Sequence, residues 1–594
     1  MKGTVPVAGI DLGTCFSCVF VYKNGTYTLV PIDGQQTVPS VISFYNNQFH
    51  YGYPAKENHL VNPYNTFYDV KRMIGLTSQE CAEVIKQSNY TFQMFDNQGY
   101  PCYYVCDENT RQPISYITPY QLDASFLQYL VEQASKLVGQ EIKDVVITVP
   151  AFFTQSQTRA TLEAAQIAGL NVMRIMYEPS AAAVASDLDC PIRTSHYIVY
   201  DLGGGTFDTA ILRVNGMNYD VICNDGHLRL GGQDFDNRLY QYIVEELETY
   251  EIDISSWNAN KIARLRREVE NIKITLSIQE NYTLDLNDYG HDEEIIISRT
   301  QFEECIEDLI DESIRICDNA IKTSGIQLGP YERILLVGGS SAIPLVRRKL
   351  IKAFGDRIVQ IVNPNTVVAR GACIAAIQCW NIIHPQEPAQ PTKHTDHMVR
   401  DIVVRSVFIK MNDNDYEEIL PRGSPCNEWK KKDVELTGFF QKNATVELAT
   451  KEENGLYQRL GYFKIKPSIF GSKKVTFELK MNDHGMLCYK YGTATKEFDE
   501  GEVDLQSKLD QTTLDAETGR FAALKKYEKL FVKARDYAKE QGPSYQQVFK
   551  NIGDALNFIR SPPALIYDLT KLREFCEGYE NYIRQVFPGI VGSQ

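Results

Sequence analysis

A chain of 594 residues is too long for one hydrophobic core and implies about three or four domains. Its hydrophobic fraction of 43% is that of an ordinary globular protein, and no run approaches the roughly 20 apolar residues of a membrane helix. A net charge of -15 argues against a nucleic-acid binder, which needs a basic face to displace counterions. The 14 cysteines are irregularly spaced and the opening MKGTVPVAGIDLGT has no apolar signal core, so reduced thiols and a cytoplasmic location are expected.

Residues 5–45 alternate apolar and polar positions between Gly, Asn and Asp turns and predict a meander of short strands. A helix is expected over Leu122–Val138, then a buried strand over 143–151, then helices over Gln155–Ala168 and the alanine-rich Pro179–Ser186. Residues 197–223 return to strands and 232–325 read as helical. LLVGGSSAIP (335–344) reads as a strand, a glycine turn and a helix start. The Pro-rich IHPQEPAQPTKHTDH (383–397) reads as linker. From Val403 to about Phe498 the pattern is strand-like with frequent turns, which predicts a β-sandwich. Within it, Lys430, Lys431 and Lys432 are expected in a solvated loop. In the last 90 residues Phe521, Leu524, Tyr527, Leu530, Ala534 and Tyr537 recur at helical spacing, with breaks at Gly542-Pro543 and Pro562-Pro563. The expected organisation is a two-lobed α/β domain (1–382), a linker (383–402), a β-sandwich (403–504) and a helical segment (505–594).

GIDLGTCFSCVFV (9–21) and VYDLGGGTFDTAIL (199–212) form an internal near-repeat. Each is an apolar strand ending in Asp, followed by a Gly/Thr turn and a second strand, which suggests two similar lobes facing each other. Backbone N–H groups can cradle phosphates only where glycine lets them approach. A phosphate-bound Mg2+ also needs a carboxylate, usually acting through water. Asp11 and Asp201 stand at those strand ends; Gly13 and Thr14 supply one turn, and Gly203, Gly204, Gly205 and Thr206 the other. The repetition points to ATP far more strongly than either turn alone. Cys15 and Cys18 form a C-x-x-C without a second pair at zinc spacing, and strand alternation sends them to opposite faces.

The segments IDLGTCFSCV, YDVKRMIG, VVITVPAFFTQSQ, AGLNVMRIMYEPSAAAVA, VYDLGGGTFD, LGGQDFDNR and LLVGGSSAIP stand in the order found in Hsp70 proteins, and the chain resembles that family over roughly residues 8–380. The resemblance implies the two-lobed actin-like ATPase fold, ATP and Mg2+ as ligands, and unfolded or assembling proteins and co-chaperones as partners. It implies that Lys71 orients the attacking water and stabilises the γ-phosphate, and that Glu178 positions Mg2+-bound water. Asp201 and Thr206 resemble the water-positioning and γ-phosphate contacts, with Asp208 in the same turn, and Asp11 resembles the Mg2+ partner. Gly338, Gly339 and Ser340 resemble the adenosine-side turn; Glu270, Lys273 and Ser277 resemble the adenine-pocket helix.

Several positions depart from the family pattern. Cys15 replaces a hydroxyl beside the phosphates, and Ile274 stands where an Arg usually stacks on the base. Ala342 and Asn365 replace Arg and Asp, and Thr158 replaces an Arg of the lobe that signals to the peptide domain. VRDIVV (399–404) is the nearest match to the interdomain linker, and LPRGSP (420–425) resembles a peptide-domain turn only by type. A compact chain with a diverged β half and a short helical end also resembles the Hsp70 homologues of closteroviruses, which act in virion-tail assembly and cell-to-cell movement with capsid proteins as partners. The alternatives are a divergent cellular chaperone and a structural assembly protein that barely cycles ATP. A small-molecule kinase on the same fold would leave the β half unexplained.

Overall fold

A computed structural model describes the chain except residues 1–4, 87, 89, 190–194, 216–217, 330, 361–362, 385–397, 413–414, 436–443, 452–455, 466–473, 492–493, 498–510, 543–544, 561–568, 588–589 and 591–594. The Pro-rich stretch 385–397, Pro543 and Pro562-Pro563 thus lie outside the described residues. No helix among the described residues is long and apolar enough to cross a membrane.

The near-repeat becomes two similar sheets. In the first lobe, Val7–Asp11 runs parallel to Asp144–Val149 and antiparallel to Phe16–Lys23. In the second, His196–Leu202 runs parallel to Arg333–Val337 and antiparallel to Phe207–Asn215. Asp11 ends its strand, and Asp201 stands one residue before the end of the equivalent one. Ile198, Val199 and Tyr200 are all fully buried, because helices cover both faces of the sheet. Helices Glu178–Asp189 and Val367–Ile383 lie between the sheets, in one apolar cluster with Val7, Tyr22, Val199 and Val337. Gly9 packs so tightly there that an added Cβ would sit 2.0 Å from the Cys373 nitrogen.

Helices Pro119–Val138 and Gln155–Ile167 cover the outer face of the first lobe. Reciprocal hydrogen bonds start each of them, between Thr118 and Gln121 and between Thr154 and Gln157. Gly232–Thr249, Ala259–Leu276, Arg299–Ser324 and Pro344–Phe354 build the outer layer of the second lobe. The helical reading of 232–325 needs one correction, since Asn281–Asp285 and Glu294–Ser298 pair as an antiparallel hairpin. Leu284 and Ile297 seat it on the lobe's core.

The β half is two antiparallel four-stranded sheets. One is ordered Asp415–Leu420, Val407–Asn412, Ala444–Lys451, Tyr457–Ile465; the other is Lys430–Glu435, Lys474–Met481, Leu487–Tyr491, Ala494–Glu497. Val407, Ile409, Leu448, Phe477 and Leu479 share the core of this half. Lys430, Lys431 and Lys432 are not in a loop: they open an edge strand. Lys431 pairs with Glu478 at 2.8 Å and Lys432 with Glu417 at 2.8 Å, so charge is tolerated on that edge.

The three parts dock. Met398–Arg400, expected as the end of the linker, adds a parallel strand to Asn218–His227 in the second lobe. The LPRGSP turn closes on it, with the Val403 amide donating to Ser424 and the Gly423 amide to Val403. Thr158, where an interdomain Arg was expected, is buried and faces Gly485 of the β half. Beside it the Gln155 amide donates to the Gly485 carbonyl at 2.7 Å and accepts from the Leu487 N–H at 3.0 Å. Helix Gln511–Glu540 lays Leu514 and Phe521 into the core of the first lobe. Its Tyr527, Phe531 and Ala534 pack with Gln546–Ile559 and Leu569–Val586 in a separate three-helix cluster.

Candidate functional site

Between the lobes lies a cleft of about 490 Å³ lined by residues from both phosphate-type turns. Seventeen of the eighteen residues singled out from the sequence reach its wall: Asp11, Gly13, Thr14, Cys15, Lys71, Glu178, Asp201, Gly203, Gly204, Gly205, Thr206, Glu270, Lys273, Ser277, Gly338, Gly339 and Ser340. Asp208 does not. It is buried behind the turn, where a carboxylate oxygen accepts from the Ala151 amide at 2.9 Å. Asp208 pairs directly with Asp201 across the two strands, and its charge is one of those that raise Asp201.

The glycine turns are shaped from outside. Gly13 donates to Ser17 Oγ at 3.2 Å, and Ser40 Oγ donates to the Gly13 carbonyl at 2.7 Å. The Gly203–Thr206 turn is closed by the Gly203 amide on the Thr206 carbonyl, 3.0 Å, and its Gly203 and Gly204 carbonyls accept from the amides of Gly232 and Gln233. A Cβ on Gly205 would sit 2.5 Å from the Thr14 hydroxyl, so the two turns touch and leave space only for backbone. Gly338, with φ 79, could not take a side chain either: a Cβ would meet the Leu202 carbonyl at 2.3 Å.

Lys71 comes from the short 3-10 turn Val70–Arg72, and its ammonium donates to Glu178 at 2.5 Å, both groups buried. Burial opposes the ammonium charge, but Glu178 and Asp11 outweigh it and hold Lys71 above its ordinary value. Burial pushes the Asp11 carboxyl up to about 7, with the Glu178 charge adding to it. Asp201 is pushed well above the carboxylate range by burial, then by Glu178, Asp208 and Asp11. Burial and Glu178 take Asp208 to about 8. Too many carboxylates share this cleft for one lysine to neutralise. No three acidic, His or Cys side chains among the described residues are arranged to chelate a metal ion.

At the helical wall, Lys273 is paired with Asp236 at 2.7 Å and Glu270 with Lys56 at 2.6 Å. Ser277 donates to the Lys273 carbonyl of its own helix. Cys15 accepts from the Gln233 amide at 3.3 Å, and burial pushes its thiol up to about 12, so it is no ready nucleophile. Every cysteine among the described residues is a free thiol.

Apart from Glu270, sequence reasoning gave no role to the groups that hold the lobes together. Arg72, next to Lys71, donates to the Gly205 carbonyl at 2.8 Å and to Asp234 at 2.7 Å, tying the first lobe to the second. Lys56–Glu270 and Arg267–Glu57 (2.5 Å) add two more ties. Gln233, Asp234 and Asp236 all lie in the LGGQDFDNR segment, so a signal was present without a partner to give it meaning.

The family model described as Hsp70 protein matches residues 7–557. Among similar proteins, a heat shock 70 kDa protein of Neurospora crassa is 28% identical over 556 residues, 91% of this chain and 82% of that protein. A heat shock 70 kDa protein of Emericella nidulans is 34% identical over 375 residues, 62% of this chain and 58% of that protein. A further heat shock protein, from Pyricularia oryzae, is 31% identical over 467 residues, 77% of this chain and 75% of that protein. With its two mirrored lobes, the glycine-walled cleft between them and a match along nearly its whole length, this chain belongs to the Hsp70 family.

Proposed function

We propose that the cleft binds ATP with Mg2+ and hydrolyses it, and that this cycle drives capture and release of apolar segments of client proteins by the β half. The observation that carries the reading is the buried Lys71–Glu178 pair set between two side-chain-free turns and facing Asp11 and Asp201. The amides of the Gly13–Thr14 and Gly203–Thr206 turns would cradle the phosphates, and Gly338–Ser340 with Glu270, Lys273 and Ser277 would hold the nucleoside. The crowded carboxylates fit a hydrated divalent cation, held through water by Asp11 and Asp201, which would neutralise phosphate charge when bound.

Phosphoryl transfer asks a protein mostly for positioning and charge. Lys71 supplies a fixed ammonium where negative charge collects, and Glu178 fixes its direction. Asp201 accepts a hydrogen bond from the attacking water, and Thr206 steadies the transferred group. Asp208 acts one step removed, anchoring the turn through the Ala151 amide.

Single-turnover hydrolysis of ATP by the full chain, with and without an apolar peptide, tests this. Peptide-stimulated turnover is the expected result. Slow hydrolysis indifferent to peptide, together with co-purification in a particle, would instead favour the assembly role of the closterovirus kind. That the three similar proteins named above are fungal heat-shock proteins supports the cellular alternative. The Lys71→Ala variant is expected to bind ATP nearly as well as the parent and to lose at least about a hundredfold in turnover; parental turnover would remove Lys71 from the mechanism.

A further inference from the structure

Two apolar side chains stand at the mouth of the cleft, one on each lobe, and the first has no role in the chemistry described so far. Tyr53 is the first residue of helix Tyr53–Asn58, one turn before Lys56. Ile274 lies on helix Ala259–Leu276, one turn after Glu270, and is 52% exposed. The Lys56–Glu270 bridge at 2.6 Å pins these helices to each other across the lobes. Residues one turn from that bridge are therefore neighbours of it on either side, and both Tyr53 and Ile274 line the cleft together with Thr37, Lys273 and Ser277.

The surroundings hold the tyrosine ring in place. Its helix begins at Gly52, whose amide donates to the Val41 carbonyl at 3.0 Å and whose φ is 67. The Tyr53 phenol lies near Thr37 and within reach of the Asp33 and Glu270 charges. Phe16, 37% exposed, is engaged otherwise: the Lys56 ammonium sits 5.4 Å over its ring. Tyr53 thus adds an aromatic ring to the cleft wall from the first lobe, and Ile274 adds an aliphatic side chain from the second.

We infer that Tyr53 stacks on the base of the bound nucleotide and, with Ile274 across the cleft, replaces the cationic base contact that position 274 cannot make. The lobes then grip the base from both sides, so nucleotide binding and lobe closure are coupled through Tyr53. The inference rests on the nucleotide reading above.

The test is equilibrium binding to the full chain of Mg-ATP and of Mg-tripolyphosphate, which has no base. Tyr53→Ala is expected to weaken ATP about tenfold, the usual worth of one base–aromatic stack, with tripolyphosphate unchanged. Tyr53→Phe keeps the ring and is expected to stay within about twofold of the parent for both ligands. In Tyr53→Trp, ATP but not tripolyphosphate is expected to quench the added indole fluorescence. Unchanged ATP affinity in Tyr53→Ala, or equal losses for both ligands, would overturn the inference while leaving the ATP site standing. A parent chain that binds neither ligand would overturn the nucleotide reading, and this inference with it.

Discussion

Lys71 and Arg72 are consecutive residues of one tight turn, yet Lys71 reaches Glu178 and Arg72 reaches Gly205 and Asp234 of the other lobe. Such a turn makes one peptide unit serve both the chemistry and the closure of the lobes. A different residue-scale device is His59, whose ring nitrogen lies 3.1 Å from the Thr91 hydroxyl and whose ring meets Tyr68 edge-on. Burial, then Arg266, Lys56 and Arg267, lower it from 6.5 to about 3, against the weaker pull of Glu270. It therefore stays neutral when folded, while the unfolded chain takes up a proton as pH falls through 6.5. Its contribution to stability is present above that value and is lost progressively from there toward about 3. Thermal unfolding at about pH 7.5 and about pH 5 checks the sign: His59→Gln should lose less stability than the parent on acidification. An identical loss would mean that other groups set the acid limb.

At the scale of elements, glycine turns after apolar strands were legible because each is a local backbone demand written in adjacent residues. The Asn281–Ser298 hairpin was not, since its strands are five residues each and sit between long helical repeats. Lys430–Glu435 hid for another reason: its charges are satisfied by Glu478 and Glu417 on other strands, which no local pattern reveals. The Met398–Arg400 strand shows what such a short element can carry. Directly after it, Asp401 pairs with Arg174 at 2.9 Å and accepts from Ser180 at 2.7 Å, so first lobe, second lobe and β half meet at one carboxylate. Removing its charge leaves a mostly buried guanidinium unpaired, a cost of about 3–5 kcal/mol. Asp401→Asn is expected to undock the β half, read as faster hydrogen exchange at Ile175, whose amide donates to the Asp483 carbonyl. Parental protection there would show that docking rests on the Gln155 contacts instead.

At the scale of the whole molecule, helix Gln511–Glu540 belongs to two cores. Phe521 and Leu514 join the first lobe, Phe531 and Ala534 join the terminal helices, and Gln121 donates to Glu517 at 3.0 Å. Truncating a buried aromatic costs about 3–5 kcal/mol. Phe521→Ala should release the helices from the first lobe without melting either core. Limited proteolysis would then cut in front of residue 511 while the two-lobed half stays intact; unchanged resistance would show that the polar contacts at Glu517 suffice.

The sequence by itself determined the two-lobed fold, its family and nearly all of the cleft wall, because those features depend on strand-end carboxylates and on glycines that any fold of these segments must keep free of side chains. Only the tertiary structure decided that Asp208 stands behind the cleft, that Arg72 ties the lobes, that Tyr53 and Ile274 line one cleft and that the three parts dock. The physical reason is separation along the chain. Arg174 and Asp401 are 227 residues apart and Gln121 and Glu517 are 396 apart, and each pair acquires its meaning only when folding brings both partners out of water together.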